Sequence, residues 1–453
     1  MNNNECMLKY KPSRFNYIHS CQDGSLRLYN SMIGTKGLLS VPPENSETVR
    51  KLLSKDVLEE DALLNWETSL LIDNGYLVPV ERDENKCLSL RKMNVLTSDK
   101  KMSLVIMPTE KCNFKCKYCY ETFRKGKMSP AVQDAIINYV KKNIRNHTEL
   151  AVIWFGGEPL EALDVIERLS LAFINICQLA RKPYSASMTT NGYNLTPEVY
   201  NKLYDLKVYG YQITLDGYKD QHNSQRILLN GDGTFEKIVN NLLYIKKERK
   251  KGTAFAVRTN FTKTILNNID TYLDFYSQNF GDDQHFSLFI QTVSDWGGSR
   301  IKDFSNEIIE PCHVYILKKL KEHNITLNLA GHCYGLDYGA SICYASKKEN
   351  IVIGSDGSLY KCTRDFEWEK NKLGRITEEG ILLLNENYYL WLGRSGEPKA
   401  KCKDCFYEAN CMRATCPYVL VSGFDESFCP PEKEHMGLFL ENFNKNLFKE
   451  MRR

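Results

Sequence analysis

The sequence lacks the features that would assign it to a membrane, a secretory or a nucleic-acid-binding class. It has no run of about eighteen apolar residues, and its polar start, MNNNECMLKY, lacks the apolar core that a signal peptide needs. The charge is nearly balanced, with 60 basic and 56 acidic residues, which is not the strongly basic signature of a nucleic-acid binder. We therefore expect a cytoplasmic chain, with neither a membrane nor a nucleic acid among its partners.

The sequence is long and rich in cysteine. Its 453 residues predict two or three domains, at about 150 residues per domain. Its 16 cysteines are too many for packing alone, and a reducing compartment argues against structural disulfides. Metal ligation is therefore the leading explanation for the cysteines.

The N-terminal part of the chain alternates strand patterns with helical patterns. Two strand-like segments flank the turn QDG at 22–24 and predict a hairpin, and helical spacing follows at 46–53 and 60–73. We interpret residues 1–92 as a small winged-helix-like module. It is either a packing extension of the next domain or a docking module that pairs an extended peptide to a sheet edge.

A longer segment, from about residue 104 to 324, alternates strand and helix patterns six times. The strand patterns read SLVIMPT, ELAVIWFGG, YSASMTTNG, YGYQITLDG, FAVRTNFT and HFSLFIQTV. Regular alternation of this kind predicts a parallel sheet with crossover helices. Because six units suit an open barrel better than a closed eight-stranded one, we expect an α/β fold with a partial (βα)6 TIM-like barrel over 93–304.

Unusual residues follow the first four of these strands, where barrels of this type hold their chemistry. In strand order they are Cys112, Cys116 and Cys119; Gly156, Gly157, Glu158 and Pro159; Asn191 and Gly192; and Asp216 and Gly217. All four loops are predicted to face the same mouth of the barrel.

The three cysteines of the first loop are an incomplete ligand set. A structural zinc site or a closed four-iron cluster needs four protein ligands, so three cysteines alone imply an open coordination position. Gly156 and Gly157 let a backbone approach a ligand closely, and Glu158 places a carboxylate there for an ammonium group.

Through CNFKCKYC at 112–119 and GGEP at 156–159, the sequence resembles the radical S-adenosylmethionine (radical SAM) superfamily. The resemblance implies a [4Fe-4S] cluster on Cys112, Cys116 and Cys119, whose open iron binds the amino and carboxylate groups of S-adenosylmethionine. Reductive cleavage then yields a 5′-deoxyadenosyl radical that removes a hydrogen atom from the substrate. The cofactor-binding residues that the resemblance implies are Gly156, Gly157, Glu158, Asn191, Thr214 and Arg226.

Seven further cysteines form an ordered array towards the C-terminus. They are Cys343, Cys362, Cys402, Cys405, Cys411, Cys416 and Cys429. A zinc ribbon over 402–416 is one interpretation, since paired thiolates suit tetrahedral zinc, but it leaves the other cysteines of the array unexplained. The array resembles the SPASM extension of radical SAM enzymes, which houses two auxiliary four-iron clusters. We expect a SPASM domain over 343–453, after a bridging region over 305–342.

The SPASM resemblance also implies how these cysteines are shared between two clusters. One set, Cys402, Cys405, Cys411 and Cys429, would close the first auxiliary cluster. A second set, Cys343, Cys362 and Cys416, would hold the other, which makes three [4Fe-4S] clusters in all. This second auxiliary cluster lacks a fourth protein thiolate, so either Cys333 or a thiolate of the substrate completes it, and we favour the substrate. The family has three residues before the cysteine that Cys416 matches, whereas this chain has four.

Several functions, from different classes, fit these features. We favour an enzyme that modifies a ribosomally made precursor peptide, because the chain combines a radical SAM barrel, two auxiliary clusters and an N-terminal module, residues 1–92, that resembles the precursor-recognition domains of peptide maturases. Within this class, the sequence resembles the thioether-forming sactipeptide and ranthipeptide synthases. Its partners would be a precursor peptide with a leader segment and a low-potential electron donor of flavodoxin or ferredoxin type. The alternatives are an anaerobic sulfatase-type maturase that forms formylglycine, a maturase that forms carbon–carbon crosslinks or epimerises residues, and a non-catalytic iron-sulfur or zinc-ribbon protein.

Overall fold

The computed structural model describes residues 9–58, 65–121, 123–294, 300–309, 312–327, 336–392, 400–423 and 429–451. These residues fall into two compact units, each assembled from separate stretches of the chain. Unit 1 takes those within 1–96, 334–346 and 393–453, and unit 2 takes those within 97–333 and 347–392. Among the described helices, none is both long enough and apolar enough to cross a membrane.

Unit 1 contains the predicted N-terminal hairpin. Its strands are β1 (Tyr10–Pro12), β2 (Asn16–Ser20), β3 (Leu26–Asn30), β4 (Leu39–Val41), β5 (Leu77–Pro79) and, at the other end of the chain, β16 (Lys449–Glu450). Strands β2 and β3 pair antiparallel around the turn at 22–24, as predicted. One sheet has the order β16-β4-β3-β2, and β1 pairs with β5 in a second, two-stranded sheet.

The helices of unit 1 come from both ends of the chain. They are Pro43–Leu53, Trp66–Asp73, Glu84–Thr97, whose last residue belongs to unit 2, Glu408–Cys411, Pro417–Val421, Pro431–Glu434 and Met436–Asn442. Short 3-10 turns lie at Gly34–Gly37, Tyr344–Ser346, Ala400–Cys402 and Lys445–Leu447. The first helix confirms the helical pattern at 46–53. The second covers the end of the pattern at 60–73, of which residues 60–64 lie outside the described residues.

The core of unit 1 joins the two ends of the sequence. One cluster packs β3, β4 and the first two helices around Met451, close to the C-terminus. A second cluster packs Phe15 and Met32 of the N-terminal segment with Ala409 and Met412, beside the C-terminal cysteines. The N-terminal module therefore shares its apolar core with the cysteine-rich segment, which nothing in the sequence pattern indicated.

Unit 2 is built on a ten-stranded sheet with six consecutive parallel strands. These are β6 (Lys101–Ile106), β7 (Glu149–Trp154), β8 (Tyr184–Thr190), β9 (Val208–Thr214), β10 (Ala254–Phe261) and β11 (Phe286–Thr292). They pair in chain order, and in the described part of the chain the series stays open at β11. The six strand patterns and the predicted α/β class with an open parallel barrel are therefore confirmed.

Four more strands extend the same sheet beyond β6. They are β12 (Asn350–Ile353), β13 (Ser358–Tyr360), β14 (Lys372–Ile376) and β15 (Leu382–Leu384). Strand β12 runs parallel to β6, and the others follow as an antiparallel meander. The segment 343–453 is thus shared between the two units.

The helices of unit 2 lie between the parallel strands, except for the last two, which follow β11 and β15. They are Pro130–Asn143, Leu163–Ala180, Pro197–Asp205, Lys219–Gln225, Phe235–Lys247, Lys263–Leu266, Ile269–Phe280, His313–Glu322 and Asn387–Trp391. Short 3-10 segments are Ile144–Asn146, Pro159–Ala162, Arg300–Glu307 and Glu369–Asn371. Two of the helices begin with a hydroxyl cap before a proline, at Ser129 and at Thr196, which explains why they start there.

Candidate functional site

The loop after β6 carries Cys112, Cys116 and Cys119 at the C-terminal end of the parallel strands. Two backbone hydrogen bonds, of 2.8 and 3.0 Å, tie positions 115 and 117 to the segment 225–227. All three cysteines are free thiols; Cys116 is buried and the other two are partly exposed. The loop is therefore held in place by the backbone, and its thiols remain available as ligands.

The chemistry of these thiols fits a four-iron cluster. Burial raises the pKa of Cys119 to about 12, and Cys116 and Cys112 also have raised pKa values, chiefly through burial. Thiols held neutral by burial release their protons when a cation binds. No group of three or more His, Cys, Asp or Glu side chains surrounds a single metal position within the described residues. A four-iron cluster instead takes each thiolate on a different iron.

The GGEP turn after β7 packs against the backbone of the cysteine loop. Gly156 has a φ of +127°, and a Cβ there would lie 2.3 Å from the carbonyl oxygen of Thr109. A Cβ on Gly157 would lie 2.5 Å from the carbonyl oxygens of both Glu110 and Lys111. Both glycines are required because only a residue without a side chain lets the two loops approach this closely. Their predicted contact with a cofactor stays a prediction.

Glu158 joins the loops that follow β7 and β8. Its side chain is 0% exposed, and its Oε1 accepts hydrogen bonds from Leu160 N at 3.0 Å and Thr190 Oγ1 at 2.7 Å. Its Oε2 accepts a hydrogen bond from Asn191 N at 2.7 Å. Burial raises the pKa of Glu158 to about 7, against the lowering effect of these hydrogen bonds. The carboxyl group therefore fixes the backbone at Asn191.

Asn191 connects the Glu158 network to the cysteine loop through a side-chain hydrogen bond. Its Nδ2 donates to Asn113 Oδ1 at 2.8 Å, and its Oδ1 accepts a hydrogen bond from Tyr193 N at 2.9 Å. Next to Asn113, the backbone N–H of Phe114 donates to Cys112 Sγ at 3.4 Å. The structure thus brings Glu158 and Asn191 together with the first cysteine, as the four-loop interpretation expects.

Arg226 belongs to a second, buried network that includes the tyrosine of the CKYC segment. Its Nη1 donates to Tyr118 OH at 2.7 Å and lies 3.9 Å from Asp216 Oδ2, to which Tyr118 OH donates. The other Asp216 oxygen, Oδ1, accepts hydrogen bonds from Asn260 N at 2.8 Å and Nδ2 at 3.2 Å. Among the described residues, Arg226 Nε has no hydrogen-bond partner. A buried guanidinium N–H without a protein acceptor fits the predicted contact with a carboxylate of the cofactor.

The strand end that carries Asp216 also carries Thr214. Thr214 is the last residue of β9, opposite Arg258 of β10, and is 9% exposed. Two residues on, the Asp216 N–H donates to Nδ1 of the buried His222 at 3.1 Å. Burial lowers the pKa of His222, so the ring is neutral and its other nitrogen faces Thr234 Oγ1 at 3.0 Å. Sequence reasoning assigned no role to Tyr118, Asp216 or Asn260.

Four C-terminal cysteines line one small pocket in unit 1. They are Cys402, Cys405, Cys411 and Cys429. Burial raises the pKa of Cys411 to about 12, and the neighbouring thiols Cys405 and Cys402 raise it further. Four thiols match the ligand number of a closed four-iron cluster. Because the pocket is lined by Cys429 rather than Cys416, this arrangement favours the predicted auxiliary set over the zinc-ribbon set.

The second auxiliary set is divided between the two units. Cys343 and Cys416 belong to unit 1, where the Cys343 N–H donates to Ala414 O at 3.2 Å. Cys362 belongs to unit 2, where its N–H donates to the buried Asn371 Oδ1 at 2.9 Å. Cys333 lies outside the described residues. Joint ligation by the three cysteines stays a prediction.

Comparison with known proteins identifies the parallel-strand region. The model of the Radical SAM superfamily matches residues 106–262, from the end of β6 to the end of β10. The chain therefore carries a radical SAM domain, and this family implies a four-iron cluster and S-adenosylmethionine as cofactors.

Curated relatives and a solved structure extend the likeness beyond this domain. The chain is 24% identical over 433 residues to the radical SAM cyclopropyl synthase TigE of Paramaledivibacter caminithermalis, which covers 86% of each protein. It is 26% identical over 337 residues to a cysteine-type anaerobic sulfatase-maturating enzyme of Clostridium perfringens, covering 67% of this chain and 86% of the relative. The solved structure described as "Native anSMEcpe with bound AdoMet" matches with a TM-score of 0.55 and 20% identity, over 74% of this chain and 98% of that one. That likeness supports the fold.

Replacing Asp216 by Asn is expected to weaken S-adenosylmethionine binding by about tenfold or more. The change removes the only carboxylate described beside Arg226 and leaves a buried guanidinium without its counter-charge, which typically costs about 3–5 kcal/mol. Arg226 and the cysteine loop then lose their fixed orientation. The measurement is the KM for S-adenosylmethionine and the kcat of its reductive cleavage by the holoenzyme.

Two variants control this prediction. Asp220→Asn removes an exposed carboxylate on the following helix and should leave both constants unchanged. Tyr118→Phe keeps the carboxylate and should have a smaller effect on KM than Asp216→Asn. Equal KM values for Asp216→Asn and the parent protein would contradict the positioning role of Asp216.

Glu158→Gln is expected to destabilise unit 2 by about 1–3 kcal/mol, although it is nearly isosteric. Two of the three groups that Glu158 faces are backbone N–H donors, so an amide NH2 in place of one oxygen leaves a buried donor unpaired. Thermal or denaturant unfolding of the loaded protein measures the effect. The exposed neighbour Glu161 supplies the control variant Glu161→Gln, and equal stability of the two variants would show that the donor set around Glu158 adapts.

Proposed function

We propose that this radical SAM protein is a maturase that modifies a ribosomally made precursor peptide, and that its reaction joins a cysteine sulfur of the peptide to a carbon of an acceptor residue. The observation that carries the proposal is the construction of unit 1. The winged-helix-like module and the four-cysteine pocket share one apolar core, in which Phe15 and Met32 contact the segment that carries Cys411. A sheet-edge module combined with an auxiliary iron site suits a peptide substrate.

The relatives support a peptide or protein substrate. The sulfatase-maturating enzyme acts, by its description, on a protein, and the likeness to it covers most of its length. We infer the same substrate class for this chain. A low-potential donor of flavodoxin or ferredoxin type would supply the electron that starts the reaction.

The side chains of unit 2 bind and orient the cofactor in this proposal. When bound, the cluster and S-adenosylmethionine together supply the one-electron chemistry that removes a hydrogen atom from the substrate. Arg226 offers its unpaired Nε to the cofactor carboxylate, while Asp216 and Tyr118 hold its other side. Glu158 holds the loop of Asn191 against the cysteine loop, so the reacting groups are pre-positioned before substrate arrives.

Thioether formation balances as the loss of two hydrogen atoms from the peptide. The acceptor carbon would lose a hydrogen atom to the adenosyl radical, the cysteine thiol would lose a proton, and an auxiliary cluster would supply the acceptor for the remaining electron. We favour this reaction because the set of Cys343, Cys362 and Cys416 lacks a fourth thiolate, so that a substrate thiolate could complete it. Binding to iron would lower the pKa of that thiol and keep its sulfur as the reacting nucleophile.

A second candidate is the formation of a carbon–carbon bond within the peptide. The specific observation in its favour is the relative described as a cyclopropyl synthase, which matches 86% of this chain. Such a reaction also removes two hydrogen atoms, but it leaves any cysteine thiol of the peptide free. The two candidates therefore differ in what happens to the thiol.

The test uses the anaerobically reconstituted full chain, S-adenosylmethionine, a reductant and a synthetic peptide encoded by the short reading frame beside the gene. Product mass and reaction of the product with iodoacetamide are both measured. A thioether appears as the loss of two hydrogen atoms together with loss of an alkylatable thiol. The same mass with a free thiol indicates carbon–carbon bond formation, and loss of the sulfur atom indicates formylglycine. An unmodified peptide, with cofactor cleavage intact, would contradict peptide maturation.

A further inference from the structure

Arg258, on strand β10, lies on the same face of the sheet as the buried network of Tyr118. Its neighbour Thr259 faces the other way, because its Oγ1 lies 2.6 Å from the hydroxyl of Tyr272 on a connecting helix. Alternate residues of a strand share a face. Arg258 therefore points to the same side as Asn260, whose Nδ2 donates to Tyr118 OH at 3.2 Å. This inner side of the sheet is the one that the helices do not cover.

The guanidinium of Arg258 is held on one edge and one face. Its Nε donates to Asn260 Oδ1 at 2.8 Å, and its central carbon lies 5.8 Å from the centre of the Phe289 ring, on the neighbouring strand. In the described part of the chain, its two terminal nitrogens, Nη1 and Nη2, have no hydrogen-bond partner. The side chain is partly exposed, so a ligand can reach it. The structure thus presents an oriented pair of donors without an acceptor.

The charges around Arg258 do not balance. The carboxylate whose charge acts on it is that of Asp216, which already accepts hydrogen bonds from Tyr118 and Asn260 and lies 3.9 Å from Arg226 Nη1. Burial lowers the pKa of Arg258, and the charge of Arg226 lowers it further, against the raising effect of Asp216. Two guanidinium groups thus share one carboxylate. Because a desolvated charge is costly unless it is paired, this site favours a further anion.

We propose that Arg258 binds a carboxylate of the peptide substrate, either the side chain of an Asp or Glu beside the modified residue or the C-terminus of the peptide. The inference rests on the proposed function, since it names the chemical group by which the site recognises the peptide. The terminal nitrogens of Arg258 can each donate to one carboxylate oxygen, and such a paired contact fixes orientation as well as distance. Because Arg258 shares its face with the network of Arg226, the peptide is held close to the bound cofactor.

The experiment combines variants of the full-length holoenzyme with variants of the peptide. Arg258→Met removes the charge and keeps a long side chain, and Arg258→Lys keeps the charge without the planar fork. Arg145→Met, at an exposed position of the same unit, is the matched control. The probes are the precursor peptide described above and a series in which each Asp or Glu is replaced by its amide, and the C-terminus by its amide, one at a time. The measurements are kcat and KM for every peptide, KM for S-adenosylmethionine, and iron content.

In the parent protein and in Arg145→Met, one peptide of the series should have a KM at least about tenfold above that of the unchanged precursor. In Arg258→Met the precursor should have a similarly raised KM, and the difference between these two peptides should disappear. Arg258→Lys should retain part of the difference. The position of the effective amide shows whether the bound carboxylate belongs to a side chain or to the C-terminus.

Two results would overturn the inference and leave peptide maturation intact. One is a KM that is the same for the whole series in the parent, or amide effects that are the same in Arg258→Met as in the parent. The other is a raised KM for S-adenosylmethionine in Arg258→Met together with an equal loss on every peptide, which would mean that Arg258 serves the cofactor. If the parent cleaved S-adenosylmethionine but modified no peptide of the series, the proposed function would fail, and this inference with it.

Discussion

Replacing Cys112, Cys116 and Cys119 together by Ala is expected to abolish reductive cleavage of S-adenosylmethionine. The three thiols are the only cysteines on the loop after β6, and they lie beside the network of Glu158 and Asn191. Without them no ligand set remains at the mouth of the parallel strands. The iron of one cluster should be lost, whereas the iron of the auxiliary clusters that we propose should stay. Iron and sulfide analysis, together with chromatography for 5′-deoxyadenosine, measures both outcomes.

One result would contradict this prediction. Continued formation of 5′-deoxyadenosine by the triple variant would mean that the cofactor is cleaved elsewhere and that the radical SAM site is assigned wrongly. Cys177→Ala, a buried cysteine on the helix Leu163–Ala180, is the control for the loss of a thiol in the same unit. It should retain both its iron and its cleavage activity.

If the four-cysteine pocket of unit 1 holds the auxiliary cluster that we propose, replacing Cys411 by Ala is expected to remove that cluster and to destabilise the unit by several kcal/mol. Metal binding contributes directly to the free energy of folding when the ligands are distant in sequence. Cys411 lies beside Met412, whose side chain packs in the same cluster as Phe15 and Met32, so loss of the cluster loosens the N-terminal module as well. Peptide binding should fall, and reductive cleavage of S-adenosylmethionine should continue.

Calorimetry of the loaded protein tests this expectation, because unit 1 should unfold at a lower temperature than in the parent. Cys21→Ala is the matched control, since Cys21 is a free cysteine of unit 1 that does not line the pocket. If Cys411→Ala kept all of its iron and its unfolding temperature, the four-thiol pocket would have no role in cluster binding.

The shared core of unit 1 also bears on experiments with the N-terminal module. Truncation at residue 92 would appear to isolate a recognition domain, as the sequence pattern suggests. It would in fact remove Phe15 and Met32 from the cluster that surrounds the C-terminal cysteines, and β3 and β4 from the cluster of Met451. Such a truncation would therefore report on the folding of unit 1 and not on peptide recognition alone.

Local pattern was enough for the parallel strands and for the loops that follow them. The strands alternate with amphipathic helices, so period and order predicted the pairing of β6 to β11. Each of the motifs CNFKCKYC and GGEP is continuous in sequence and directly follows a strand. Parallel strands bring the loops after their C-terminal ends to one edge of the sheet. For these reasons the sequence could predict that Glu158 lies near Asn191 and that Asn191 lies near the cysteine loop.

The sequence by itself determined the α/β class, the six parallel strands and the loops on which the radical SAM site is predicted, because each depends on residues that are neighbours along the chain or on adjacent strands. Only the tertiary structure decided the network of Tyr118, Asp216 and Asn260, the apolar core that Phe15 and Met32 share with Ala409 and Met412, and the pairing of β16 with β4. These contacts join segments of up to several hundred residues apart. These contacts form only when distant apolar surfaces pack together in the folded chain, and a local sequence pattern does not predict which surfaces pack together.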